Sequence, residues 1–300
     1  MKHQVLSVLF ALLLLPLNAQ AAMRVFSCEP EWASLVTELA GDHARVFTAT
    51  TAQQDPHYIQ ARPSLIAQMR RADLVVCTGA ELEAGWLPVL MARSVNPGVK
   101  PGTAGYFEAA NHVPMLGVPQ RLDRAEGDIH SRGNPHIHLD PRNIERIAPA
   151  LAERLAKLDP ANAADYRERL DDFMQRWQSA LQRWATLAEP LRGMPIVVHH
   201  NSWTYLNHWI GLNQIGTLEP KPGVPPSSSH LAELLETLKI TPARAIIRAP
   251  FEEARASEWL SKQAGPVMLE LPYTVGGNAQ ATDLFGLFDS SIALLQEAQP

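Results

Sequence analysis

ANAADYRERLDDFMQRWQSALQRWATL, residues 161–187, places Tyr166, Leu170, Phe173, Met174, Trp177, Leu181, Trp184 and Leu187 at spacings of three and four. That period puts the apolar side chains along one side of a single long helix. At 1.5 Å per residue such a helix spans roughly 40 Å, enough to run the length of a two-lobed molecule. Pro190 and Gly193 close it. The tryptophans on the stripe read as core packing rather than as a platform for a ligand.

Both flanks of this helix share one grammar, in which short apolar runs alternate with helical patterns. That alternation indicates βα units and mostly parallel sheets. Before the helix, Arg24–Ser27, Arg45–Ala49 and Leu74–Cys77 read as strands, and Trp32–Leu39 and Leu65–Arg71 as helices. Asp140 can cap the next helix, with Pro141 at its first position. After the long helix, Ile196–Val198, Ala245–Ile247 and Val267–Leu271 read as strands; Trp203–Trp209, Leu231–Leu238, Trp259–Gln263 and Asp283–Leu295 read as helices. Residues 97–135, rich in Gly, Pro, Asp and His, show no period and read as one long loop. The expected fold is therefore α/β, with two βα lobes (22–158 and 193–300) joined by one long rigid helix (159–192). No internal sequence repeat supports a duplication.

Lys2, the apolar run Val5–Leu17 and the small residues Ala19-Gln20-Ala21 read as a secretory signal peptide over residues 1–21. The apolar run is too short for a bilayer-spanning helix. No cysteine stands at its end to accept a lipid, so a soluble periplasmic protein is expected. With 26 Lys and Arg against 31 Asp and Glu, and no basic stripe, nucleic acid is excluded as a partner. Cys28 and Cys77 are the two cysteines. In an exported protein pairing is the commoner outcome, but sequence alone does not fix their Cα separation, and the bridge stays open at this point.

Eleven histidines occur, and those outside the leader concentrate where the expected strands end. In open α/β sheets ligands bind beyond the carboxyl ends of the strands, where loops and helix N-termini converge. Three segments fit that place: Gln54-Asp55-Pro56-His57, Gly133 through Pro141 with His136 and His138, and Val197 through Trp203 with His199 and His200. A lone histidine at a strand end is more often a cap or a surface residue. Three such segments spread over both halves of an exported chain point instead to Zn²⁺, which favours tetrahedral sites rich in imidazole. For the adjacent His199 and His200 an extended backbone would send one ring to each side, so spacing alone does not choose between them.

Asp55-Pro56-His57 with Arg62-Pro63-Ser64, Asn134-Pro135-His136 with Leu139-Asp140-Pro141, and His199-His200-Asn201-Ser202-Trp203 resemble the three metal-ligand segments of zinc- and manganese-binding solute-binding proteins of bacterial ABC importers. The order, the spacing and the long helix between the second and third segments all agree. The resemblance implies a metal held between two lobes by His57, His136 and His200, and delivery to an importer permease in the inner membrane. It also implies a non-catalytic protein, expected here as a monomer. A histidine at the third place, where manganese-type relatives carry a carboxylate, leans toward Zn²⁺ over Mn²⁺. Where many relatives carry an aspartate after the last strand, this chain reads Leu271-Pro272-Tyr273-Thr274, which leaves water, Asp283 or Glu252 for the fourth position. The long loop carries His112, Asp123, Glu126, Asp128 and His130, and His130 is the residue best placed there for an accessory metal role.

Three other functions compete with this one. A zinc hydrolase would need a general base beside the metal-bound water. The chain has no His-Glu-x-x-His or Gly-x-Ser-x-Gly segment, and Glu252 and Glu253 read as helix-start acids. A metal chaperone without a permease differs from a transport component in its gene neighbourhood, not its residues. A binder of an organic solute would leave the histidines incidental.

Overall fold

The computed structural model describes residues 21–299 apart from 122, 124, 126 and 128. Residues 1–20 of the expected signal peptide and the loop acids Glu126 and Asp128 therefore lie outside the described residues. The first sheet holds β1 (Met23–Ser27), β2 (Ala44–Thr48), β3 (Leu74–Cys77) and β4 (Tyr106–Glu108), all parallel in the order β2-β1-β3-β4. Around it lie α1 (Pro30–Ala40), α2 (Pro63–Arg71), α3 (Leu87–Ser94) and α4 (Pro141–Leu158). Asp140 caps α4 by accepting from Arg142 N, with Pro141 at the first turn.

The long helix α5 (Ala163–Ala188) is continued by a short 3-10 turn at each end. Beyond it β5 (Pro195–Val198), α6 (Thr204–Ile210), β6 (Asn213–Thr217), α7 (Ser228–Ile240), β7 (Ala245–Arg248), α8 (Arg255–Ala264), β8 (Val267–Glu270) and α9 (Leu284–Gln296) follow in turn. These four strands form a second all-parallel sheet in the order β6-β5-β7-β8. The two sheets thus repeat one strand order, in line with the matching grammar of the two halves. Among the described residues no helix is long and apolar enough to cross a membrane.

The stripe on α5 is the centre of the core. Tyr166, Phe173, Trp177, Ala180 and Trp184 are buried, whereas Leu187 faces solvent. Trp177 Nε1 donates to Pro141 O in the first half and Trp184 Nε1 to Asp289 Oδ1 on α9 in the second, so the helix is bonded to both. The inner faces of both sheets share one continuous apolar cluster that runs from Val25 and Trp32 through α5 to Ile196, Trp203 and Phe288. Smaller clusters fill the outer faces under α2 and α3, and under α7 and α8.

Three departures from the sequence reading have plain causes. The stretch 97–135 is not structureless, because Tyr106–Glu108 pairs with β3 as an edge strand only three residues long. Asn213–Thr217 carries one branched apolar side chain, Ile215, and a glycine, too little to show a strand period, yet it pairs with β5. α3 is eight residues long with Pro88 in its first turn. The open question of the cysteines is resolved: Cys28, just beyond β1, is bridged to Cys77 at the end of the neighbouring β3, with Cα atoms 4.8 Å apart.

Candidate metal centre

Each of the three histidines sits past the carboxyl end of a strand and has one ring nitrogen already engaged. His57 follows β2; Asp55 Oδ1 accepts from its backbone N at 2.9 Å and lies 2.7 Å from its Nδ1. His200 follows β5, and its Nδ1 lies 2.6 Å from Glu219 Oε2, a carboxylate oxygen that Gly223 N also donates to. His136 ends the long loop of the first half, where Asn134 Oδ1 accepts from its backbone N. Its Nδ1 lies 2.6 Å from Tyr273 Oη, which comes from the second half. Asn134 Nδ2 in turn donates to Asn201 O, beside His200, and so ties the two segments together.

The ring centroids stand 5.4 Å (57 to 136), 5.8 Å (57 to 200) and 5.7 Å (136 to 200) apart. One nitrogen from each ring falls within 4.8 Å of one from each of the others. With every Nδ1 taken, the nitrogens left to face one another are Nε2, and His57 Nε2 is buried with no hydrogen-bond partner. Convergent imidazole lone pairs of this kind repel unless something electrophilic lies between them. The donor set therefore fits a divalent cation, and a carboxylate–histidine pair is the usual way of fixing the tautomer of a ligating ring.

The electrostatics differ from ring to ring. Burial, reinforced by His57 and His200, holds His136 well below the usual histidine pKa, so it is a neutral donor. Burial would also lower His200, but the hydrogen bond and charge of Glu219 outweigh it and raise the ring above its usual value. Burial pushes Asp55 up, yet the hydrogen bond and charge of His57 together hold its carboxyl below the ordinary range. Burial, followed by nearby carboxylates, lifts Tyr273 well above the tyrosine range and keeps the phenol neutral.

The other candidates fall into place around this cluster. His138 is fully buried outside it, between Glu31 Oε1 at 3.2 Å and Tyr273 O at 2.9 Å, because the backbone turns through a short 3-10 helix at 137–139 instead of running extended. His199 is buried and stands outside the three-histidine cluster, its pKa lowered mainly by burial. Glu252 lines the same small cavity, about 110 Å³, as Asp55, His57, His200 and Glu219. Burial raises its carboxyl to about 8. Asp283, which the sequence offered for the fourth position, instead caps α9 by accepting from Gly286 N and lines a separate cleft beside α1, whose lining includes none of the three histidines. His130 stands 5.3 Å from His57, on the wall of a larger cleft of about 620 Å³. Its neighbour Ser131 is fastened through both N and Oγ to Glu81. His112 stacks on Phe107. Glu83 lies against Cys28 and Cys77, but both sulfurs are committed to the disulfide.

Sequence reasoning singled out neither Glu219 nor Tyr273. Tyr273 follows the last strand, where the resemblance leads to the expectation of a carboxylate and not a phenol. Glu219 lies two residues past β6, a strand that the sequence did not reveal.

Two parallel α/β lobes meeting at a seam, braced by one helix and carrying imidazoles from both sides at their strand ends, define a two-lobed metal-binding solute-binding protein. The chain belongs to the ZnuA family, zinc-uptake complex component A, periplasmic, whose family model matches residues 25–298. That family comprises periplasmic transport components and not enzymes. A high-affinity zinc uptake system protein ZnuA of Yersinia pestis is 24% identical over 200 residues, 60% of this chain and 60% of that protein, so the match spans less than two thirds of the curated relative. A crystal structure of ZnuA superposes with a TM-score of 0.77 at 23% identity, covering 93% of this chain and all of the other. The solute-binding protein FpvC of Pseudomonas aeruginosa, solved in complex with Mn²⁺, gives 0.76 at 22% identity, covering 93% and 100%. At these identities the solved structures establish the fold.

Proposed function

We propose that this chain is the solute-binding component of a zinc ABC importer, which captures Zn²⁺ in the periplasm and hands it to an inner-membrane permease. In this reading His57 and His136 belong to the first lobe (22–158) and His200 to the second (193–300), so the ion cross-links lobes spanned by the helix of 159–192. The observation that carries it is the convergence of three imidazoles whose Nδ1 atoms are all engaged by neighbours at 2.6–2.7 Å. Zn²⁺ suits this all-nitrogen set, whereas Mn²⁺ prefers carboxylate and water oxygens. The Asp55 and Glu219 carboxylates behind two of the rings balance the two charges of the ion. Water, or the Glu252 carboxylate on the same cavity, completes a tetrahedron. Hydrolysis fits less well: Glu252, the acid on the cavity that the sequence offers as a base, is already engaged as the acceptor of Ala249 N.

Calorimetric titration of the metal-stripped protein with zinc and with manganese tests this. One tight zinc site and weaker manganese binding are expected. His57→Ala, His136→Ala and His200→Ala should each lose more than the roughly 10–100-fold that removal of an outer hydrogen-bonding partner costs. His43→Ala and His230→Ala should bind zinc as the parent does. Equal affinity for the two metals, or an indifferent His200→Ala, would overturn the assignment.

A further inference from the structure

Tyr273 makes contacts that a packing residue does not need. It lies three residues past β8, is 2% exposed, and reaches from the second half into the His136-Ile137-His138 turn of the first at two points. Its Oη stands 2.6 Å from His136 Nδ1, and its backbone O accepts from His138 Nε2 at 2.9 Å. The other nitrogen of His138 faces Glu31 Oε1 at 3.2 Å, and Glu31 Oε2 accepts from Thr274 Oγ1 at 2.5 Å. Tyr273, His138, Glu31 and Thr274 thus close a ring of contacts across the seam, with Glu31, His138 and Thr274 all buried. The phenol ring is held edge-on by His136, His138 and Phe251 at centroid distances of 5.6, 5.0 and 5.3 Å, so it has no room to swing aside.

We propose that Tyr273 is the positioning residue of the centre: a two-point grip from the second lobe that accepts the Nδ1 proton of His136 and so aims Nε2 at the ion. The proposal rests on the zinc-capture reading and adds a dependence to it. His57 and His200 take their tautomers from acids in their own lobes, Asp55 and Glu219. His136 takes its tautomer from across the seam, so it is a competent donor only while the two halves are docked. A neutral phenol also accepts more weakly than a carboxylate, because charge-assisted hydrogen bonds are roughly twice as strong as neutral ones. His136 is therefore the weakest-held of the three rings and the natural first donor to let go when the seam loosens.

The test is zinc titration of the parent chain, Tyr273→Phe, and Thr274→Val, whose side chain contacts Glu31 and none of the three rings. Tyr273→Phe keeps the aromatic packing and removes one oxygen. It is expected to weaken zinc binding roughly 10–100-fold, the range for loss of an outer partner of a ligating histidine. Stoichiometry should stay at one, with the metal-free melting temperature lowered only modestly, as for the loss of one buried hydrogen bond. Thr274→Val should weaken binding several-fold by loosening the same grip. If the parent binds zinc tightly and both variants match it, the role of Tyr273 falls while the capture reading stands; if the parent shows no single zinc site, the capture reading itself falls. ¹⁵N-histidine NMR of the zinc-loaded parent gives a check independent of whether the variants fold. A protected, downfield Nδ1 proton on His136 is expected, and a freely exchanging one overturns the proposal. A phenolate-to-metal charge-transfer band in the cobalt-loaded parent would also overturn it, by making Tyr273 a ligand.

Discussion

His200 carries more of the pH dependence than His136 does. Its carboxylate neighbour raises it above the ordinary histidine value, whereas burial keeps His136 neutral well below that value. A metal needs the lone pair of a neutral ring. Of these two rings, it is His200 from which zinc is expected to displace a proton near neutral pH. Affinity should fall as pH drops through the raised value, and level off above it, once the ring is neutral without help. Glu219→Gln removes the charge that raises His200. It should shift the affinity profile to lower pH while costing roughly 10–100-fold in the plateau affinity. Titrations in buffers of different ionisation enthalpy read both effects; a profile that does not move with Glu219→Gln would contradict the assignment. At this scale the sequence was informative wherever chemistry follows position. The strand-end rule and the three motifs pointed to His57, His136 and His200, the rings that the fold brings together. The partners of those rings were illegible, because Glu219 and Tyr273 are selected by register and loop course, which no local pattern encodes.

Elements with a strong period were legible and elements without one were not. α5 announced itself through eight apolar residues at helical spacing, and β3 (Leu74–Cys77) through an unbroken apolar run buried on both faces. β4 and β6 are edge strands of three and five residues with mixed chemistry; they are strands because β3 and β5 offer free backbone groups to pair with. The cysteine bridge belongs to the same scale, joining adjacent strands 49 residues apart in sequence. Closing a loop of that length in the unfolded chain corresponds to about 4 kcal/mol of stabilisation. Cys28→Ser with Cys77→Ser should therefore lower the denaturation midpoint of the metal-free protein markedly. It should leave zinc stoichiometry at one, since no ligand lies on β1 or β3. A double variant that keeps its stability but loses zinc would reverse that assignment.

For the whole molecule, the decisive feature is that the two halves do not have separate cores. One apolar cluster passes from the inner face of the first sheet, through α5, to the inner face of the second. Opening the seam widely would expose that cluster, at roughly 25 cal/mol for each Å² of apolar surface returned to water. On the proposed zinc-capture reading, capture and release are expected to proceed through small movements at the strand-end loops, where the Tyr273–His136 and Glu81–Ser131 contacts lie. The two-lobed plan was legible from the grammar of the chain on either side of α5. The shared core was not, because it depends on α9 folding back against α5 and α1.

The central claim is that imidazoles from both halves share one ion, and X-ray absorption at the zinc edge of the loaded protein tests it most directly. Three imidazole nitrogens at about 2.0–2.1 Å are expected in the parent, falling to two in His200→Ala. A sulfur neighbour, or an imidazole count that His200→Ala leaves unchanged, would contradict it.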